Sequence, residues 1–137
     1  MIKQKIRYNS PMAYYQIAKG IKKFINNNTV IICIGTDKCI GDCLGPLVGT
    51  LLHESFLPLP IYGTISSPIH ALNLDTNLKE INCKHPNSCI IGIVDSSDYS
   101  NIFSARSIRL SFISDMAKVI SHGILEAYSN YQNNLIE

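Results

Sequence analysis

The sequence predicts an α/β protein in which a parallel sheet lies between layers of helices. Two continuous apolar runs, Thr29–Ile34 and Cys89–Val94, predict strands. The first run is rich in β-branched residues and is typical of a parallel strand buried on both faces. Segments with helical periodicity precede, separate and follow these runs, which is typical of a mostly parallel sheet with right-handed crossovers. The length of 137 residues predicts one domain spanning residues 1–137, because domains most often contain about 100–150 residues.

The first half of the chain is predicted to contain a helix, a strand and a second helix. Ser10 is a preferred N-cap residue and Pro11 is favoured at the first helical position, so a helix is expected to begin there. Apolar residues recur at helical spacing over residues 14–25, and three asparagines end this helix before the strand Thr29–Ile34. After a polar loop, helical periodicity resumes over residues 44–56 and ends at two prolines.

The second half alternates in the same way. Residues 61–65 predict a short strand, and residues 74–81 predict a short helix. The apolar strand Cys89–Val94 follows. A polar stretch over residues 96–107 then leads to a long final helix, whose buried positions recur at helical spacing over residues 110–131.

The composition excludes several classes of protein. The net charge is +2 and no apolar run approaches the roughly 18 residues of a membrane span, so we expect neither a nucleic acid nor a membrane as partner. Residues 1–10 lack the apolar block of a secretory signal, and the chain has five cysteines, an odd number. We therefore expect reduced thiols in a cytoplasmic protein.

Each of the two strongest strands is followed by an acid at its carboxyl end, where ligands of open α/β sheets bind. Asp42 lies in the loop after Thr29–Ile34, near the start of the next helix, and Asp95 directly follows Cys89–Val94. The helix start favours an ionised Asp42, whereas burial at a strand end favours a protonated Asp95. Two carboxyl groups in such different surroundings are typical of acid–base catalysis. The alternative for Asp42 is a helix-capping role.

Other loops near this edge have weaker patterns. The loop between Gly35 and Gly41 precedes a helix and could hold an anion on its backbone amides, but it lacks the Gly-Lys-Ser/Thr ending of a phosphate loop. His70 follows the second strand, either as part of the active edge or as an ordinary surface histidine. No Gly-x-Ser-x-Gly pattern of a serine hydrolase follows a strand.

A zinc site is the alternative use of the cysteines. Four ligands could come from Cys39, Cys43, Cys83 and His85. Their spacing is not that of a zinc ribbon or a zinc finger. Cys33 and Cys89 lie within apolar strands, where we expect core residues. We therefore expect no bound metal and no cofactor.

The segment of residues 32–50 carries the most specific motif in the chain: Gly-Thr-Asp at residues 35–37, Gly-Asp at residues 41–42 and Leu-Gly-Pro at residues 44–46. This segment closely resembles the YyaC family of spore proteases. Further stretches that are similar to the same family extend over nearly the whole chain, at residues 62–64, 68–74, 78–81, 85–87, 109–111 and 116–125.

The resemblance implies a fold and a catalytic pair. The YyaC family is similar to the germination protease of spores and to the hydrogenase maturation proteases, which implies a phosphorylase/hydrolase-like three-layer sandwich of the hydrogenase maturation protease type. Asp42 and Asp95 match the two acids of the active edge. In the hydrogenase maturation proteases the matching acids contact nickel of the substrate protein, and their additional metal-contacting histidine has no clear match here. We expect substrate contacts at Gly35, Thr36, Gly41, Gly63, Thr64 and His70.

The chain departs from the family after Asp95. Family members continue with alanine and a long segment rich in glycine and proline, whereas here Ser96 and a short loop lead to Arg109, so the chain looks shortened at the active edge. The resemblance implies a sporulation-associated peptidase that acts on a protein or peptide, expected to be a sporulation protein, in the cytoplasm of the sporulating cell or spore.

Three alternatives stay open at the level of sequence. The short loop after Asp95 favours a non-catalytic binding or regulatory member of the same fold. A metal-dependent hydrolase would use Asp42 and Asp95 together with His70. The final helix is also a candidate homodimer contact.

Overall fold

The computed structural model describes residues 4–36, 38, 42–95 and 106–136. Its elements follow the predicted order, and the last two helices are longer than the periodicity predicts. They are helix α1 Ala13–Ile21, a 3-10 turn Lys22–Phe24, strand β1 Thr29–Ile34, helix α2 Leu44–Glu54, strand β2 Ile61–Tyr62, helix α3 Leu74–Lys84, strand β3 Cys89–Val94 and helix α4 Arg106–Ile136. None of the described helices is both long enough and apolar enough to cross a membrane.

The sheet is parallel, and β1 is its central strand in the order β2-β1-β3. Ile32 of β1 lies beside Tyr62 of β2 on one side and Gly92 of β3 on the other. A single parallel bridge joins Ile34 to Ile69, just beyond the end of β2. This pairing confirms the predicted α/β class with a parallel sheet.

Helices cover both faces of β1 and so make three layers. Side chains of a strand point alternately to the two faces of its sheet. On one face Ile31 and Cys33 pack in a core with α1, α2 and α4. On the other face Val30 and Ile32 pack against Ile81 of α3. The strand is therefore buried on both faces, as its continuous apolar run predicts.

β3 is less buried than β1. Its residues alternate between half-buried and exposed, with 42% of Ile90 and 57% of Val94 exposed. The reason is the position of α3, because the core between α3 and the sheet is formed with side chains of β1 and β2. Cys89, expected in the core, is therefore only half-buried.

Two local predictions near element ends are also wrong. Ser10 does not cap α1, because the helix begins only after Met12, which has a φ of 62°. The Ser10 hydroxyl instead donates to the Arg7 carbonyl oxygen at 3.0 Å. β2 ends at Tyr62 rather than at residue 65. The next residue, Gly63, has a φ of 94° and leaves the extended conformation of a strand.

Glycines form the contact between α2 and the sheet and bring the two very close together. A Cβ atom added to Gly45 would overlap the carbonyl oxygen of Ile34, and one added to Gly49 would overlap that of Gly63. A Cβ atom on Gly63 would in turn overlap the carbonyl oxygen of Cys33. The start of α2 is therefore held against the carboxyl ends of β1 and β2.

We expect the substitution Gly63→Ala to lower the free energy of unfolding by at least about 2 kcal/mol, because it combines an unfavourable positive φ with a clash against backbone. Urea denaturation measures the change. Gly92→Ala in β3 is the matched control, since nothing lies within 4 Å of an added Cβ atom there, and it should change the stability by less than about 1 kcal/mol. Equal effects of the two substitutions would contradict the close packing.

Candidate active site

A cavity of about 390 Å³ opens at the carboxyl edge of the sheet. Its walls come from the loop after β1, the turn before α3 and the end of β3. The lining residues are Ile34, Gly35, Thr36, Lys38, Asp42, His70, Ala71, Leu72, Val94 and Asp95. The cavity thus lies where the topology rule for open α/β sheets places a ligand.

The loop after β1 is closed by backbone hydrogen bonds that fix Asp42 at the cavity. The Gly35 amide donates to the Ile69 carbonyl oxygen at 2.8 Å, and the Thr36 amide donates to the Asp42 carbonyl oxygen at 2.9 Å. Gly35 is needed for this closure, because a Cβ atom there would overlap the same Asp42 oxygen. Asp42 precedes the N-cap residue of α2, which is Cys43. Its side chain is exposed to solvent and available to a ligand.

The turn that carries His70 is held by an asparagine. The side-chain oxygen of Asn73 accepts a hydrogen bond from the His70 amide at 2.8 Å, and the Asn73 side-chain nitrogen donates to the Pro68 carbonyl oxygen at 3.1 Å. The Leu72 amide donates to Nδ1 of His70 at 3.3 Å. Because Nδ1 is an acceptor, a neutral His70 ring carries its proton on Nε2.

Asp95 directly follows β3 and forms the opposite wall. The residue is half-buried and its Oδ2 atom is buried from solvent. The preceding Val94 is 57% exposed and also lines the cavity. The two acids of the cavity therefore differ in solvation, one open to water and one partly enclosed.

The structure brings together five of the eight residues that the sequence places at the site: Gly35, Thr36, Asp42, His70 and Asp95. Gly63 and Thr64 instead line a different cavity, of about 670 Å³, beside α2. Gly41 lies outside the described residues.

Sequence reasoning did not assign Leu72 and Val94 to the site. Leu72 is 94% exposed, and its only sequence signal is a large apolar residue in the polar turn before α3. Val94 carries no such signal, because the whole of β3 is apolar.

The cysteine and histidine residues considered for zinc are dispersed. Cys83 is exposed on α3, and Cys43 is buried at the start of α2; Cys39 lies outside the described residues. His85 is hydrogen-bonded through Nε2 to the Tyr62 hydroxyl at 2.6 Å. Within the described ranges no three His, Cys, Asp or Glu side chains are grouped as metal ligands.

The fold and the cavity define an α/β protein with a parallel sheet and two acids at its carboxyl edge. A family model described as "Protein of unknown function (DUF1256)" matches residues 5–93, more than half of the chain. The chain belongs to this family. The "Uncharacterized protein YyaC" of Bacillus subtilis (strain 168) is 27% identical over 169 residues, which covers 90% of this chain and 82% of the relative. No solved structure matches.

The alignment with the Bacillus protein is longer than the chain itself, at 169 against 137 residues. The relative therefore contains residues inside the aligned region that have no counterpart here. The match to the family model ends at residue 93, two residues before Asp95. The alignment length agrees with a chain that lacks residues of its relative, and the family match does not extend to Asp95.

We expect Cys33 to resist alkylation in the folded protein. Burial raises the pKa of this thiol from 9.0 to about 12, and the thiolate is the reactive form. Iodoacetamide at pH 8 should therefore modify the exposed Cys83 first and Cys33 only after unfolding, as measured by peptide mass spectrometry. Equal rates at the two thiols would contradict a buried Cys33.

The same burial predicts the direction of a pH effect on stability. The unfolded thiol loses its proton near pH 9, whereas the native thiol keeps it to about pH 12. Above pH 9 ionisation of this thiol stabilises the unfolded state but not the native state. The contribution of Cys33 to the free energy of unfolding therefore falls as the pH rises. The stability difference between the unsubstituted protein and Cys33→Ala should be about 1.4 kcal/mol smaller at pH 10 than at pH 7.

Proposed function

We propose that the chain is a peptidase that uses Asp42 and Asp95 as its acid–base pair. The observation that carries the proposal is the cavity at the carboxyl edge of the sheet, which both residues line although they come from different strands. Their different solvation supports a division of labour, since acid–base catalysis requires one group that accepts a proton and one that donates it.

The proposed reaction is hydrolysis of a peptide bond by water. Asp42, which is open to solvent, takes a proton from the attacking water molecule while the oxygen of that water bonds to the carbonyl carbon. Asp95, which is partly enclosed, gives a proton to the amide nitrogen as the carbon–nitrogen bond breaks. The products are a carboxylic acid and an amine, and proton exchange with solvent restores both side chains.

Other groups on the cavity wall have the chemistry to hold a peptide. The Nε2–H of a neutral His70 can donate to a peptide carbonyl, and the ammonium group of Lys38 supplies positive charge for the oxygen that becomes negative in the transition state. Leu72 and Val94 offer apolar surface to a neighbouring side chain. The resemblance to spore proteases supports a sporulation protein as the substrate.

We expect Asp42→Asn and Asp95→Asn each to reduce cleavage at least about 100-fold, because a general acid or base commonly contributes that much. The assay incubates the protein with a proteome-derived peptide library and identifies new termini by mass spectrometry. Asp75→Asn, which changes an acid in the first turn of α3 outside the cavity, is the matched control and should retain full activity. Unchanged cleavage in the Asp42→Asn/Asp95→Asn double variant would refute the mechanism.

A second candidate function is a non-catalytic binding protein that keeps the same scaffold. The observation that favours it is the longer alignment with the Bacillus protein, which shows that this chain lacks residues of its relative. This function predicts that the unsubstituted protein cleaves no member of the library but still retains particular peptides. Substitution of the exposed Leu72 by aspartate should then abolish retention, whereas Asp42→Asn should leave it in place.

A further inference from the structure

The charges of the chain are strongly segregated, although its net charge is only +2. Residues 1–36 contain six of the 12 basic residues and none of the 10 acids. The remaining residues therefore hold four more acids than cations. The basic residues of the first segment are Lys3, Lys5, Arg7, Lys19, Lys22 and Lys23.

Three of these lysines line a groove between the N-terminal segment and α1. The groove has a volume of about 960 Å³, and Lys19, Lys22 and Lys23 are all exposed on it. The N-terminal segment forms the opposite wall, because the side-chain oxygen of Gln4 would lie 2.7 Å from a Cβ atom added to Gly20. The N-terminal segment and α1 are therefore in close contact at Gly20.

Apolar side chains form the rest of the lining. Ile6, Ile17 and Ile21 are half-buried, and Phe24 is 43% exposed. The ammonium group of Lys23 lies 5.1 Å from the centre of the Phe24 ring, so positive charge and apolar surface are adjacent. The groove thus combines the two properties that recognise a chain carrying both acidic and apolar side chains.

This groove is distinct from the candidate active site. Its lining ends in the 3-10 turn that precedes β1, whereas the catalytic cavity follows the other end of that strand. The six residues of β1 extend about 20 Å. The two sites have no lining residue in common, so occupation of the groove does not depend on the peptidase proposal.

We infer that the groove binds an acidic, extended segment of a partner protein that places an aliphatic side chain between the lysines. Charge complementarity identifies the acidic character, because the described residues that line the groove include three lysines and no acid. The concave shape favours a peptide over a lipid bilayer, whose flat surface cannot reach the isoleucines on the floor. The aliphatic lining favours a peptide over a nucleic acid, since single strands bind on several stacking aromatic rings and Phe24 is the groove's one aromatic residue.

The test measures binding of a short fluorescein-labelled peptide that combines glutamates with leucines. A matched peptide has glutamine at every glutamate. We expect saturable binding of the acidic peptide by fluorescence anisotropy, weakened by salt, and no binding of the amide peptide. Amide chemical-shift changes should map to residues 17–24 and not to the catalytic cavity.

Two charge-reversed variants separate specific binding from general attraction. Lys19→Glu/Lys22→Glu alters the groove, and Lys79→Glu/Lys84→Glu makes the same change of net charge on exposed positions of α3. The first pair should weaken binding about tenfold or more and the second less than twofold. Circular dichroism verifies that both variants fold.

Three outcomes would overturn the inference. Equal weakening by both pairs would show attraction to net charge alone. Binding to phosphatidylglycerol vesicles without binding of the acidic peptide would assign the groove to a membrane surface. Stronger binding of a single-stranded oligonucleotide than of the peptide at the same residues would assign it to a nucleic acid.

Discussion

The close approach of α2 to the carboxyl ends of β1 and β2 is the constraint on which the rest of the structure depends. Gly45 and Gly49 bring the helix backbone against Ile34 and Gly63, with no room for a side chain at either contact. Because α2 starts there, the described residues at the two ends of the loop between β1 and α2, Thr36 and Asp42, lie together at the strand end. The closure of the loop by Thr36 and the position of Asp42 beside the sheet follow from this packing. Gly35 and Gly45 of the motif are therefore required by the close packing of the backbone, whether or not the cavity is a catalytic site.

The central strand β1 contributes side chains to both cores and fixes the position of the segments that line the cavity. β1 pairs with β3 over its whole length and with β2 at Ile31 and Ile32, and it is buried on both faces, so its end is a rigid reference for the three segments that line the cavity. The bridge between Ile34 and Ile69 holds the turn that carries His70, and the pairing of Ile34 with Val94 places Asp95 one residue beyond the sheet. Each wall of the cavity is therefore anchored within one residue of a hydrogen-bonded position, which is the preorganisation that acid–base chemistry needs.

The order of elements and the position of Asp42 and Asp95 at the carboxyl edge of the sheet could be predicted from sequence, because both depend on local patterns: apolar runs, helical periodicity and an acid after each strand. The exposure of Ile90 and Val94 could not. An apolar strand has the same composition whether or not a helix covers both of its faces, and the reach of α3 is a property of the packed molecule. The predicted cap at Ser10 is wrong because the helix begins only after Met12, whose left-handed backbone conformation has no signal in the sequence. Leu72 was overlooked because exposure of one apolar residue in a turn leaves no periodic signal.

The net charge was the least informative property of the sequence, because it sums charges that are too far apart to act on the same ligand. The residues that line the lysine groove precede β1, whereas the cavity lies at the carboxyl end of that strand, which itself extends about 20 Å. The Debye length at physiological ionic strength is about 8 Å, so a ligand at one end is screened from charges at the other. A partner therefore meets the local charge of each surface, basic at the groove and of both signs at the cavity. A total of +2 does not exclude an electrostatic partner when all six cations of the first 36 residues lie in a segment without acids.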